Sequence, residues 1–132
     1  MNNATNQAQL VVTFAFSRAV NNLALTLFDI DGSAAAGQDW WDKVIVTGVT
    51  NLAGTATYAT TKPGATPPTG TGTVANPLLG SGAVTDTTNA GNAQLAFAQP
   101  VTTVTVTYVA NKAVAADNQY IGTSNLSWNG CT

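Results

Sequence analysis

Four of the chain's six acidic residues, Asp29, Asp31, Asp39 and Asp42, fall in the single segment LFDIDGSAAAGQDWWDKVIV, together with Trp40 and Trp41. Carboxylates this close repel one another unless a cation or solvent separates them. A hard cation is the natural candidate, since Ca²⁺ takes about six to eight oxygens from carboxylates and carbonyls. Asp29 and Asp31 are two residues apart and project the same way if the strand before them continues. The DxDG start matches an EF-hand loop, but the third acidic position and the closing bidentate Glu are missing, so this is not one. The competing reading has Asp29 and Asp31 capping turns and the other acids solvated. In extended chain one of Trp40 and Trp41 faces inward and the other outward. An outward Trp beside carboxylates can stack a sugar ring, and the same ring can also plug one end of a β-domain.

Other chemistry is largely excluded by what the chain lacks. It has no His and one Cys, so Ser–His–Asp triads, Cys–His pairs and zinc centres are ruled out. The glycine-rich piece GTGTVANPLLGSG has neither GxGxxG nor a phosphate-loop lysine. A glycosidase pair needs carboxyls about 5–5.5 Å or about 6.5–9.5 Å apart, which spacing in sequence does not establish. The expectation is a protein that is not an enzyme.

The elements that must position these residues are strands. Leu10–Phe16, Leu23–Phe28, Lys43–Val49, Thr55–Thr60, Ala93–Ala98 and Val104–Ala110 alternate apolar with Thr or Ala, and a last strand is expected over Tyr120–Trp128. No long window has helical periodicity; AAAGQDWWD could form at most a short turn, interrupted by Gly37. Ala15–Leu27 aligns without gaps on Ala96–Tyr108, each a strand ending in Phe, a short corner to Val, and a second alternating strand. Between Thr60 and Asn92 lies an irregular stretch holding four of the five prolines. A structureless loop of that length is unusual, so short strands are expected near Gly72–Ala75 and Ala83–Asp86.

Charge and hydropathy set further bounds. The formal net charge is −2, with a pI near 4.4 and mean hydropathy of +0.11. No basic face exists for nucleic acid, and no apolar run approaches the roughly 20 residues of a membrane helix. The alternation argues against disorder. With only three Lys and no Glu, the expected exterior is rich in Thr and Asn and carries little protection against edge-to-edge strand pairing. MNNATNQAQL has neither the basic start nor the apolar core of a signal peptide. Cys131 is a spare thiol or half of a bridge to another segment or chain.

The patterns FxFSxxVxNLxLxLxDID, DxVxVTG, AGNxxLxFxQPVTxVTVTY and DNQxIGxSNLSWxxC together resemble a β-sandwich domain of secreted bacterial surface proteins, from Phe14 to Cys131. The resemblance implies an extracellular or cell-surface location within a large surface protein and no catalytic residues. It also implies that the closing strands lie beside the acidic loop, so that Asp117 and Asn118 could complete a calcium site.

The expected architecture is all-β: a single antiparallel β-sandwich domain over 1–132, jelly-roll-like, with about eight to ten strands. Its expected core comprises Phe14, Phe16, Leu23, Leu25, Leu27, Val44, Val46, Phe97, Val104, Val106, Tyr108, Ile121, Leu126 and Trp128. The expected role is a non-catalytic structural or adhesive module that meets like subunits or neighbouring domains through sheet edges, with Ala4–Val12 available as a lent strand. The alternative is a calcium-assisted carbohydrate-binding module in which Trp40 or Trp41 meets a glycan.

Overall fold

Strict apolar–Thr alternation places one set of side chains on each face of a strand, and the chain folds as that period requires. In the structure, a computed structural model, residues 2–3, 9–33, 40–85, 87–112 and 119–131 are described. They form β1 (Asn2–Asn3), β2 (Gln9–Val20), β3 (Ala24–Phe28), β4 (Gly32–Ser33), β5 (Trp40–Thr50) and β6 (Thr55–Ala56). There follow β7 (Tyr58–Thr61), β8 (Leu78–Leu79), β9 (Ala93–Phe97), β10 (Val101–Lys112), β11 (Gln119–Tyr120) and β12 (Gly122–Thr123). The fold is all-β and every pairing is antiparallel.

Two sheets carry the architecture. One runs β2-β10-β5-β4, with β6 and β8 also pairing with β5; the other runs β12-β3-β9-β7. Val44, Val46, Val104, Val106 and Tyr108 of the first join Leu25, Leu27, Leu95 and Phe97 of the second in one buried cluster. Each such aliphatic side chain stabilises the fold by roughly 1.5–3 kcal/mol relative to exposure. Contact across the gap is close: a Cβ on Gly48 of β5 would lie 2.6 Å from the Phe97 ring. The Tyr58 hydroxyl of β7 donates to the Val46 carbonyl of β5 at 3.0 Å. The arrangement is compatible with the expected jelly-roll-like sandwich.

The internal repeat has a structural counterpart. The first unit passes from β2 in one sheet to β3 in the other, and the second from β9 in that other sheet back to β10. Equivalent residues are buried alike: Val20 and Val101, Leu23 and Val104, Leu25 and Val106, Leu27 and Tyr108 all belong to the core. The units also interlock, since β2 pairs with β10 and β3 with β9. Asn22, at φ 51°, turns the first corner, a left-handed conformation that Asn adopts more readily than most residues.

Several expectations need correction. Thr55–Thr60 is two strands, β6 and β7, in different sheets. Among the described residues the long irregular stretch contributes Leu78–Leu79 as its strand rather than Gly72–Ala75 or residues 83–85, and Asp86 lies outside the described residues. Leu78 is fully buried because it closes the core against Val44. Beyond Thr123 the expected terminal strand gives way to single bridges at Ser127 and Cys131. Trp128 is 46% exposed and packs edge-on to Phe16, with ring centroids 5.8 Å apart, instead of entering the core. Phe14, Phe16 and Leu126 are only partly buried. The segment read as a helical turn lies mostly outside the described residues, and its final Trp-Trp-Asp belongs to β5.

Candidate functional site: a buried carboxyl pair

The acidic bend begins where β3 ends. Asp29 takes φ 62°, which ends the alternation and lets Ile30 drop into the core. Asp31 and Asp42 then face each other across the start of β5. The Asp42 amide donates to the Asp31 carbonyl at 2.8 Å, and the Asp31 amide donates to Asp42 Oδ2 at 3.2 Å. Asp42 Oδ1 accepts a 2.7 Å hydrogen bond from the Tyr108 hydroxyl, inside the core. The other Asp31 contact reaches far along the chain: the Val84 amide donates to Asp31 Oδ2 at 3.0 Å.

This pair anchors the irregular stretch. Gly80 donates to the Asp42 carbonyl at 3.0 Å, Gly32 to Gly82 at 3.2 Å, and Ile30 to Gly91 at 3.1 Å. Gly80 lies so close to the Asp31 backbone that any side chain there would collide with it. The long loop is therefore ordered by hydrogen bonds to the acidic bend, which replace the strand ladder it lacks.

Burial dictates the protonation. Asp42 is 1% exposed and Asp31 7%. Desolvation is the largest influence on Asp42 and pushes its carboxyl up to about 8, against the opposing hydrogen bonds from Tyr108 and the Asp31 amide. Asp31 rises to about 6, again mainly through desolvation, with the Val84 amide opposing. Burial therefore holds both carboxyls toward their protonated forms, Asp42 the more strongly. The Tyr108 hydroxyl is pushed upward by desolvation and by the neighbouring Asp42, and stays protonated as the donor.

A cation site would need these carboxyls ionised and turned to a common point. Asp42 instead directs its oxygens to Tyr108 and to the Asp31 amide. Among the described residues no group of three or more His, Cys, Asp or Glu side chains is placed to hold a metal ion. Asp29 is near enough to raise the pKa values of both Asp31 and Asp42, and its Oδ1 is shielded from solvent. Asp39, Asp117 and Asn118 lie outside the described residues.

Trp40 and Trp41, at the start of β5, are both half-buried. Strand alternation gives Trp40 the parity of inward-facing Asp42, and Trp41 that of the outer face. The Trp41 ring lies directly over Gly32, where a Cβ would clash with it. Sequence reasoning missed Tyr108 as the partner of the acids and Val84 as their loop contact. No family model matches this chain, nor does any curated protein or solved structure.

Proposed function

We propose that this protein is a non-catalytic structural or adhesive module of the cell exterior, either a subunit of a surface assembly or one domain of a large surface protein. The observation that carries this reading is the placement of Asp31 and Asp42. The residues best suited to chemistry sit in the interior, hydrogen-bonded to Tyr108 and Val84. Outside them the chain presents a Thr-rich β-surface with little charge, suited to packing against other protein or to holding an extended scaffold. Labelling the protein on intact cells of the producing organism, against lysed cells, tests the reading. Full accessibility on intact cells is expected, and a strictly internal pool sinks it.

A second reading, calcium-assisted carbohydrate binding, draws on the partial exposure of Trp40 and Trp41. A glycan array comparing the protein with Trp40→Ala and Trp41→Ala decides it: glycan binding lost with either ring would displace the structural reading. Repeating the array with calcium and with chelator tests the metal.

A further inference from the structure

Among the described residues the sheet edges differ sharply in length. The second sheet ends in β12, two residues long, and in β7, four residues long. The far side of β5 carries only the two-residue β4, β6 and β8. Short edge strands of this kind are a recognised protection against association. The remaining edge is β2, twelve residues long and laddered on one side only, to β10, in regular register from Gln9 to Ala15 and again at Val20 after a register shift. Its last residue, Val20, forms a bridge to Cys131; before that, the backbone groups on its outer side have no strand partner among the described residues.

The side chains of this edge are equally unguarded. Gln9–Ser17 reads QLVVTFAFS, without a charge, a proline or a glycine. Its inward row, Leu10, Val12, Phe14 and Phe16, is only half-buried, because the opposing sheet ends in the short β12. Val11 on the outer face is 57% exposed.

We propose that two copies of this chain associate through antiparallel pairing of their β2 strands about a two-fold axis, merging two β2-β10-β5-β4 sheets into one. The inference rests on the structural-module reading and names its partner as a second copy. A row of backbone amides and carbonyls calls for a strand, and β2 is complementary to itself. With Thr13 opposite Thr13 of the second copy, Phe14 faces Val12, Phe16 faces Leu10, and Val11 faces Ala15. Inward residues then meet inward residues, and such apolar cross-strand pairs stabilise antiparallel sheets. The two Arg18 side chains lie at opposite ends of the pairing, so no like charges meet. A two-fold contact closes on itself, leaving the short protected edges outermost.

Sedimentation equilibrium of the full chain over a concentration series, in reductant so that Cys131 forms no disulfide, tests this. The expected mass climbs from 13.4 kDa toward twice that value. A Val11→Lys/Ala15→Lys double variant, altered only on the outer face of β2, is expected to weaken association at least tenfold with unchanged melting. Leu52→Lys, at an exposed turn, should leave association intact. Amide exchange adds a readout that does not depend on the variants folding: β2 amides should gain protection as concentration rises. A wild-type chain that stays monomeric, a double variant that associates like wild type, or β2 amides indifferent to concentration overturns the proposal. A monomer found on intact cells ends only the dimer, whereas a dimer confined inside cells ends only the module reading.

Discussion

Asp42 is an acid kept where its charged form is costly, and the cost makes stability depend on pH. In the unfolded chain its carboxyl ionises near 3.8; in the folded protein it holds its proton to about 8. Below the lower value both states are protonated and the stabilising contribution is complete. As pH rises from there the unfolded chain gives up its proton first, and stability falls until the folded Asp42 ionises too. Each pH unit spent with one extra proton on the folded side costs about 1.4 kcal/mol. Calorimetry should therefore show a melting temperature that declines from about pH 5 to pH 8. Asp42→Asn removes the titrating proton while keeping an acceptor for Tyr108, so it should flatten the decline between about pH 6 and 8. Only the shallower contribution of Asp31, whose folded value is about 6, should remain. Tyr108→Phe leaves Asp42 Oδ1 without this donor, and denaturant unfolding should record a loss of about 1–3 kcal/mol. That these acids form a group was legible in their spacing. Their inward orientation was not, because the partners that hold them, Tyr108 and Val84, lie 66 and 53 residues along the chain.

The paired strand–corner–strand units determine what substitutions do at the level of elements. Val20 and Val101 occupy equivalent corners, face each other across the β2–β10 ladder, and are almost wholly buried. Val20→Ala and Val101→Ala should each cost roughly 2 kcal/mol, measured by denaturant unfolding. In combination they should depart from additivity, as residues in direct contact do. A large disparity between the two single variants would break the equivalence. The repeat and the long strands were legible because Val–Thr alternation has one structural solution, with apolar groups on one face. Leu78–Leu79 escaped because two residues carry no period, and Leu78 is buried by the loop folding back rather than by any local pattern. Trp128 misled for the opposite reason. Alternation placed it in a strand, but the chain after Thr123 runs along the rim, held by the Ala24–Ser127 and Val20–Cys131 bridges.

At the scale of the whole molecule, the order of assembly is constrained by where β10 lies. It is the central strand of its sheet, placed between β2 and β5, and its β2 ladder joins residues such as Thr13 and Thr105, 92 positions apart. Neither β2 nor β5 can acquire that partner until most of the chain has been gathered. The entropy of closing such loops is lost before the pairing repays it, which places folding of non-local β-proteins in the millisecond-to-second range. Stopped-flow refolding followed by the fluorescence of Trp40, Trp41 and Trp128 should show a main phase in that range. The Val101→Ala variant adds a diagnostic. If the β10 ladder is already formed in the rate-limiting step, this substitution slows refolding; if β10 docks afterward, it speeds unfolding instead. Topology favours the first outcome, since without β10 its two neighbours, β2 and β5, have nothing to join them. A microsecond main phase would mean that the core condenses around the local β3 and β5 segments first, with β10 added to a framework already made.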